Sequence, residues 1–481
     1  MSSKYSCKPP EPADHLSING SFPVGNWRTD LATHVTVMKF GGSSLKDGSA
    51  FRGVANIVSR CPNSPQIVIA SAMSGMTNAL LASLRSAAGG EINGARRHLD
   101  EYFERHLRVT RGLGETARRK TRTLIETTRL EINELLEVAA ANRTTTARSE
   151  DAIASHGERL SANLLTIVLE TRGLPAVYVD ARRCIVTNSE HGNAKPLMRE
   201  TIRRIRTQLK PLIAKKRIPV LEGFVAATRT GIPTTMGRGS SNYTATLVGA
   251  ALDALEVQIW TDVNGVLTAD PCVVTKPSTI PILSYAEASE LARLGTQVLH
   301  ARMIHPARDR NIPVRICNSR APKEKGTLIC GTRAASSGVI TAIAHLANLA
   351  RIDIESTPAF VASGSFGAIR KIFNRYQTRI DMVTKSELSI SLGCSEGAAL
   401  SSIARNLDQI GSVEIKTNRA IVSCIGEGLR APRGGNEVLQ RLKEIDPLLA
   451  WHRTSSVNFT TIVDSDSLAS VVRRLHSGIF E

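Results

Sequence analysis

The sequence has few aromatic residues, no long apolar run and no paired cysteines. Only 4% of its 481 residues are Phe, Trp or Tyr while 42% are hydrophobic, so the interior must consist mainly of Ala, Val, Ile and Leu. A membrane-spanning helix needs ~18 or more consecutive apolar residues, and no stretch of the chain approaches that length. The composition is that of a globular protein without membrane spans, long enough for two or three domains.

The eight cysteines stand singly, and no CxxC pair occurs. A zinc site or a disulfide framework needs clustered cysteines, so neither is expected, and the pattern fits a reducing, cytoplasmic compartment. Residues 1–33 contain several prolines but no apolar run behind basic residues. We therefore predict a disordered leader there rather than a secretory signal.

The net charge of +18 raises the question of nucleic-acid binding. The segment from Lys195 to Arg217 holds nine Lys or Arg residues and one acid, Glu200. Its apolar residues recur at helical spacing, so the charges are explained as the solvated face of a surface helix. Because no aromatic residues that could stack on bases are interleaved with them, we expect no specific nucleic-acid partner.

Residues 34–330 alternate predicted strands and helices. Apolar runs from Val35 to Phe40 and from Gln66 to Met73 flank a helical pattern from Ser44 to Arg60. This alternation predicts a parallel sheet covered by helices. Helices are predicted over 95–141, and further strands over 177–180, 220–225 and 257–262. One α/β domain, residues 34–330, accounts for them.

After residue 330 the pattern changes. Strand-like segments from Ile340 to His345 and from Ala350 to Ile354 precede a predicted helix at 368–376 and a strand at 387–392. A weaker second round follows, from residue 398 to 475. We predict two βαββαβ-like units in tandem over residues 331–481, with a regulatory rather than a catalytic role.

A phosphate-handling pattern begins at Lys39, the penultimate residue of the first predicted strand. Two glycines, Gly41 and Gly42, follow it and lead into a helix. Glycines let backbone N–H groups approach phosphate oxygens, and a lysine offsets the charge of a moving phosphoryl group. The GxxxxGK[ST] pattern of a P-loop is absent. Taken alone, this turn is equally compatible with an ordinary strand-to-helix connection.

Two further turns have similar chemistry. The segment from Thr235 to Thr244 places glycines around Arg238 and then hydroxyls and an amide at a helix start, which forms an anion cradle. The segment from Trp260 to Val266 ends a predicted strand in a turn, and Asp270 begins a loop soon after. Open α/β sheets bind their ligands at such strand ends.

In this order and spacing, the segments resemble the aspartokinases. The resemblance runs from about residue 34 to the C-terminus and implies a three-layer αβα amino-acid-kinase domain followed by tandem ACT domains. The C-terminal Leu475 to Glu481 resembles the lysine-sensitive branch of single-function enzymes. Further matching blocks are Ser71–Thr77, Ser155–Ser161, Leu294–His300 and Asp381–Ser391.

The resemblance also implies an activity and partners. Aspartokinases phosphorylate the side-chain carboxylate of L-aspartate with ATP and Mg²⁺, the first step toward lysine, threonine and methionine. Their ACT domains bind an amino-acid effector and pair subunits, so a homodimer or larger assembly is expected. An ACT pair kept only for dimer packing is the alternative, because the segment from Ala359 to Gly364 and Arg379 depart from the polar pattern of lysine-sensitive relatives.

Roles on the substrate side follow from matching motifs. Glu158 would hold the ammonium group of aspartate, and Arg238 would clamp a carboxylate. Ser71, Thr77 and Ser241 would complete that pocket.

Roles on the nucleotide side follow in the same way. Lys39 would stabilise the transferring phosphoryl group, with Gly41, Gly42 and Ser43 against the phosphates. Thr261 and Asp262 would lie against the nucleotide.

Several residues depart from the family pattern, mostly on the nucleotide side. Asn242 replaces a catalytic aspartate, Cys272 an arginine and Gln297 a lysine that reach phosphates, and Leu267 an aromatic residue of the adenine pocket. Losing one preorganised charge typically costs ~10²–10³ in rate. Three hypotheses therefore stay open: an active aspartokinase, a degenerate kinase that binds an amino acid and regulates a partner, and an enzyme with a changed acceptor.

Smaller signals receive structural explanations. His156, beside Glu158, is interpreted as a residue that shapes the pocket rather than a proton shuttle, because phosphorylating a carboxylate needs no general base. Cys272 is interpreted as an inert replacement, with an exposed reactive thiol as the alternative. No metal site made of histidines is predicted.

Overall fold

The computed structural model describes residues 35–60, 64–237, 239–295, 299, 301–331, 340–355, 366–385, 389–430, 432–445 and 450–481. Within these residues the chain forms two compact units, one of 35–265 and 302–331 and one of 266–301 and 340–481. The predicted leader, 1–33, lies outside the described residues. The domain limits 34–330 and 331–481 remain predictions. No helix in the described part of the chain is both long and apolar enough to cross a bilayer.

The first unit alternates strands with helices, as predicted. Its strands are β1 Thr36–Phe40, β2 Gln66–Ala70, β3 Ala176–Val179, β4 Val186–Thr187, β5 Ile218–Glu222, β6 Val225–Thr228, β7 Pro233–Thr235, β8 Glu256–Thr261, β10 Val314–Asn318 and β11 Thr327–Cys330. Its helices are α1 Gly48–Ser59, α2 Met76–Ala88, α3 Ile92–Val109, α4 Glu115–Asn142, α5 Ala147–Thr171, α6 Met198–Ala214, α7 Ser241–Leu252 and α9 Ala301–Asp309. Two 3-10 turns, Gly42–Leu45 and Ala181–Arg183, follow β1 and β3.

The main sheet of this unit is parallel except at one edge. Its strands lie in the order β3-β5-β2-β1-β8-β10-β11, and only β11 runs antiparallel to its neighbour β10. Every residue of β1 and β2 is buried, as expected for parallel strands covered on both faces. The prediction of a parallel sheet is confirmed, and it brings the carboxyl ends of β5, β2, β1 and β8 to one edge.

Helices cover both faces of this sheet. Apolar residues of α1 and α5 pack with Met38, Val68 and Val220 in one core. On the other face α7 packs so closely on β8 that a Cβ on Gly249 would lie 2.6 Å from a methyl carbon of Val257. The helix α5 starts at a capping box formed by Thr146 and Ser149, which satisfies backbone N–H groups of its first turn. The three-layer αβα arrangement is confirmed.

The second unit is built on antiparallel pairing. Its strands are β9 Ile282–Ser284, β12 Ala342–Glu355, β13 Ile380–Lys385, β14 Ser389–Ser395, β15 Ser412–Ile425, β16 His452–Ser455 and β17 Asn458–Asp464. Its helices are α8 Tyr285–Arg293, α10 Phe366–Arg375, α11 Leu400–Leu407, α12 Pro432–Ile445 and α13 Leu468–Phe480. Six of the strands form one sheet in the order β13-β14-β12-β15-β17-β16.

Two long strands join the two predicted halves of this unit. The segments at 340–345 and 350–354, predicted as separate strands, belong to the single strand β12, which pairs with β15 across irregularities near Leu346 and Leu349. One half packs α10 and α11 around Ile352 and Phe373, and the other packs α12 and α13 around Val422. The prediction of tandem ACT-like units is confirmed, with one shared sheet as the added feature.

Candidate active site

The site is built around Lys39, which lies in the central strand β1. Its side chain is only 9% exposed, and this burial lowers its pKa to about 8, against the opposing attraction of the Glu158 carboxylate. A Cβ built on Gly41 would lie 3.5 Å from the Lys39 Nζ, so the ammonium group lies directly beside the glycine turn. This pairing of a lysine with a bare backbone turn is suited to a phosphoryl group.

The turn after β1 requires glycine for a steric reason. A Cβ on Gly42 would lie 2.8 Å from the carbonyl oxygen of Ala72, closer than two such atoms can approach. The Gly41 N–H donates to the Trp260 carbonyl (3.0 Å), and the Ser44 and Ser319 hydroxyls lie 2.7 Å apart. The ends of β1, β2, β8 and β10 are thereby tied together. Ser43 is half-buried in this turn.

The turn after β2 carries Ser71 and leads to Thr77 in the first turn of α2. Both side chains are half-buried. The turn is held by the Ser71 N–H, which donates to the Phe40 carbonyl (3.1 Å), and by the Met73 N–H, which donates to the Ser161 hydroxyl (2.8 Å). The predicted substrate hydroxyls therefore lie beside the Lys39 strand, on an anchored backbone.

Glu158 projects from the middle of α5 toward this turn. A Cβ on Gly157 would lie 3.0 Å from the Cβ of Ala72, so helix and turn are in close contact there. Glu158 is 5% exposed, and its Oε2 has no partner among the described residues. Burial raises the pKa of Glu158 to about 8, and the Glu222 carboxylate raises it further, against a backbone hydrogen bond from Ala72 and the attraction of Lys39. An unpartnered buried carboxylate oxygen is suited to receiving an ammonium group.

A second buried carboxylate, Glu222, was not predicted from the sequence. It ends β5, is 1% exposed, and accepts from the Tyr178 hydroxyl and from the Ala181 N–H (2.8 Å). Burial raises its pKa to about 7 although the hydrogen bond from Tyr178 opposes the change. The available signal was an acid inside the apolar run at 218–225, directly before Gly223.

Ser241 and Asn242 open α7 and reach the site through Gly223. A Cβ on Gly223 would lie 2.4 Å from the Cβ of Ser241, so only glycine permits this approach. The Phe224 N–H then donates to the Thr244 hydroxyl (2.9 Å). Asn242 is 9% exposed, and its Oδ1 has no partner in the described part of the chain. Arg238, three residues before Ser241, lies outside the described residues.

The predicted nucleotide residues are divided between the two units of the chain. Thr261 ends β8, where its carbonyl accepts from the Ser319 N–H and hydroxyl (2.8 and 2.9 Å), and the exposed Asp262 lies 3.5 Å from Arg320. Leu267, bridged to Thr279, belongs to the second unit. Gln297 lies outside the described residues. Only Thr261 and Asp262 therefore join the turn at Gly41 within the first unit.

Cys272 and His156 both have shifted pKa values. Cys272, in the second unit, is exposed, and the Asp270 carboxylate raises its pKa, which keeps the thiol protonated. Burial lowers the pKa of His156 to about 4, and its Nδ1 lies 3.0 Å from the Arg159 guanidinium. Both observations favour the structural interpretations. The described residues contain no group of three His, Cys, Asp or Glu side chains arranged for a metal.

Comparison with known proteins places the chain in a family. The amino acid kinase family matches residues 34–318. Aspartokinase 2, chloroplastic, of Arabidopsis thaliana is 32% identical over 465 residues, 92% of this chain and 84% of that protein. Lysine-sensitive aspartokinase 3 of Escherichia coli (strain K12) is 32% identical over 462 residues, 93% of this chain and 100% of that protein.

A solved structure extends the likeness to three dimensions. The crystal structure of E. coli aspartokinase III in complex with aspartate and ADP (R-state) has a TM-score of 0.78 at 31% identity. The match covers 93% of this chain and all of that chain.

Proposed function

This chain belongs to the amino acid kinase family and, within it, to the aspartokinases, and from that premise we propose how its residues transfer the γ-phosphoryl group of ATP to the side-chain carboxylate of L-aspartate. The observation that carries the proposal is the buried Lys39 ammonium group, placed beside the Gly41–Gly42 turn and attracted by Glu158. A phosphate beside the Lys39 ammonium group and a substrate ammonium group beside the Glu158 carboxylate would complete this charge pattern.

We assign the phosphate to the turn after β1. The backbone at Gly41, Gly42 and Ser43 is bare enough for phosphate oxygens to approach, and Lys39 offsets the negative charge that spreads over the transferring group. In this dry pocket the lysine charge acts more strongly than it would in water. The main part of the rate enhancement is expected from these two features.

We assign the amino acid to the buried side of the pocket. Glu158 receives the α-ammonium group on its unpartnered oxygen, and the hydroxyls of Ser71, Thr77 and Ser241 orient the substrate. Arg238 is proposed to hold a carboxylate, following the family motif. Since Glu158 binds an ammonium group only when ionised, aspartate binding lowers its pKa.

We assign the rest of the nucleotide to the end of β8, where Thr261 and Asp262 lie. Mg²⁺ usually binds through one or two carboxylates, water and substrate phosphates. The exposed carboxylate of Asp262 fits that limited role, and bound Mg²⁺ supplies charge neutralisation on the phosphates. The family motifs assign Leu267, Cys272 and Gln297 to nucleotide binding, and we keep that assignment as part of this proposal.

The transfer needs no proton acceptor. A side-chain carboxylate oxygen of aspartate forms a bond to the γ-phosphorus while the bond to the bridging oxygen of ADP breaks, and ADP leaves with the electron pair. The products are 4-phospho-L-aspartate and ADP. The residues of the chain supply position and charge, which is how phosphoryl transfer is generally catalysed.

The test is acyl-phosphate formation from aspartate and Mg·ATP, trapped with hydroxylamine. We expect aspartate-dependent hydroxamate, and a higher kcat for Asn242→Asp, because a carboxylate returns to a buried position whose oxygen has no partner. Glutamate in place of aspartate is the matched substrate control. If neither protein forms hydroxamate while both bind aspartate, the chain is a binding protein and the proposal fails.

For the second unit we propose an amino-acid effector and a role in pairing subunits. The six-stranded sheet with two separate cores and the likeness to an aspartokinase named as lysine-sensitive support this. The segment 359–364, on which the dimer-packing alternative partly rested, lies outside the described residues. Lysine should lower the rate of hydroxamate formation while threonine does not, and light scattering should give at least a dimer.

A further inference from the structure

A cleft of about 590 Å³ lies in the first unit, and none of the described residues assigned to the kinase reaction lines it. It opens between the 3-10 turn Ala181–Arg183 and the helix α6. Six of its lining residues carry polar groups that can donate hydrogen bonds: Arg182, Arg183, Arg203, Arg204, Thr207 and Gln208. We name it the arginine cleft.

The lining of the arginine cleft carries an excess of positive charge. Its lining contains four arginines and one acid, Asp180, which holds Arg182 through its Nε (2.9 Å) and Nη2 (2.7 Å). In the described part of the chain, Arg183, Arg203 and Arg204 have no hydrogen-bonded or ion-paired partner. The nearby acid Glu200 is already paired with Arg229 through two guanidinium nitrogens. Three guanidinium groups thus line one concavity without a direct ion pair, although Arg183 acts electrostatically on Asp180, and Arg203 and Arg204 on Glu200.

The backbone that carries these arginines is held in place. The Ala181 N–H donates to the buried carboxylate of Glu222 (2.8 Å), and the Arg182 N–H donates to Asp180 (2.9 Å). On the opposite wall, α6 is anchored by the buried side chains of Ile205 and Leu209. Because these arginines lie on two fixed backbone elements, binding a ligand orders less of the chain, which lowers the entropy cost of binding.

The shape and lining select among anionic ligands. Guanidinium groups match the geometry of phosphate and carboxylate oxygens, and converging forks favour a phosphate with several free oxygens. A nucleic acid needs a basic surface along its backbone, with aromatic side chains where bases stack. No aromatic residue lines this cleft. The cleft suits a small ligand better than a nucleic acid, because the volume of the cleft is that of an ordinary ligand pocket.

We propose that the arginine cleft is a binding site for a small anion bearing a phosphate or diphosphate group, separate from the site of phosphoryl transfer. Arg183, Arg203 and Arg204 contact its phosphate oxygens, and Thr207 and Gln208 donate further hydrogen bonds. The basic face of α6 is interpreted from the sequence as a solvated surface, and this proposal assigns an anion-binding role to part of it.

Calorimetric titration of the full-length chain with inorganic pyrophosphate tests the proposal. Lys39→Met serves as the background, because pyrophosphate also resembles the phosphates of ATP and that substitution weakens the kinase site. We expect pyrophosphate binding to remain in Lys39→Met and to weaken about tenfold for each arginine removed in Arg183→Gln/Arg203→Gln on the same background. Both side chains are exposed, so the fold should tolerate the change.

The matched control is Arg119→Gln/Arg122→Gln, which removes two exposed arginines of α4 and the same amount of charge. It should bind pyrophosphate as the background does. Equal weakening in both double variants would reduce the effect to overall charge and overturn the proposal. The proposal would also be overturned if a short single-stranded oligonucleotide bound more tightly than pyrophosphate and the cleft variant lost that oligonucleotide binding. The cleft would then be a nucleic-acid site.

Discussion

The pocket around Lys39 and the turn after β8 lie at one edge of the same sheet, but their charged side chains differ in burial. Lys39 and Glu158 are 9% and 5% exposed, and burial moves both pKa values toward 8. Asp262 is exposed, accepts from the Thr261 hydroxyl (3.2 Å) and lies 3.5 Å from Arg320. Burial therefore disfavours the charged forms of Lys39 and Glu158 until ligands bind, whereas residues 262–264 of the turn are exposed.

The largest effect that would test this contrast is at Lys39. Lys39→Met should lower kcat for hydroxamate formation by about 10²–10³, because a preorganised charge in a dry site is lost. Lys46→Met, which removes an exposed lysine seven residues away, should leave kcat unchanged. A loss of less than tenfold in Lys39→Met would mean that the buried side does not dominate catalysis.

Glu158 should control how aspartate binding depends on pH. Because its pKa is raised to about 8, the KM for aspartate should fall as pH rises from 6 to 9. Glu158→Gln should abolish that dependence and raise KM at pH 9 by about 30-fold, as expected when a buried charge pair worth about 2 kcal/mol is lost. A normal carboxylate pKa would instead give a KM that is flat above pH 6.

The same group should affect stability with a definite sign. Since the folded pKa of Glu158 lies above its unfolded value, its contribution is full below about pH 4.5 and is lost as pH rises through about 8. The Tm of the unliganded protein should therefore fall less between pH 5 and 8 in Glu158→Gln than in the unaltered chain. Saturating aspartate should reduce the difference.

Backbone crowding gives a smaller effect on the same side of the site. Gly223→Ala places a Cβ 2.4 Å from the Ser241 Cβ and should cost about 1–3 kcal/mol of stability by urea unfolding. Gly53→Ala, in the open middle of α1, should stabilise by about 0.5–1 kcal/mol instead. Similar values for the two variants would show that α7 can move away from β5.

The smallest effect concerns Cys272 in the second unit. Because Asp270 raises its pKa, alkylation by iodoacetamide at pH 7.5 should be slow for an exposed thiol. Asp270→Asn should speed it several-fold, as followed by mass spectrometry of the Cys272 peptide. An unchanged rate would mean that the carboxylate does not govern this thiol.

Most of the fold followed from sequence periodicity. The apolar runs at β1, β2 and β8 and the helical spacing of α1 lie within two residues of the observed elements or overlap them. The strand predicted over 220–225 is instead β5 and β6, separated by Gly223 and Phe224, since packing of Gly223 against Ser241 interrupts it. The single strand β12 was missed because irregular pairing breaks the alternation of its side chains.

The sequence by itself determined the parallel sheet, the glycine turn after Lys39 and the order of the motifs, because each depends on neighbouring residues or on period. The tertiary structure alone decided that Glu222 is buried beside Tyr178, that Gly223 receives Ser241 and that four arginines line one cleft. These facts join residues distant along the chain, and the free energy of a buried charge depends on which groups surround it.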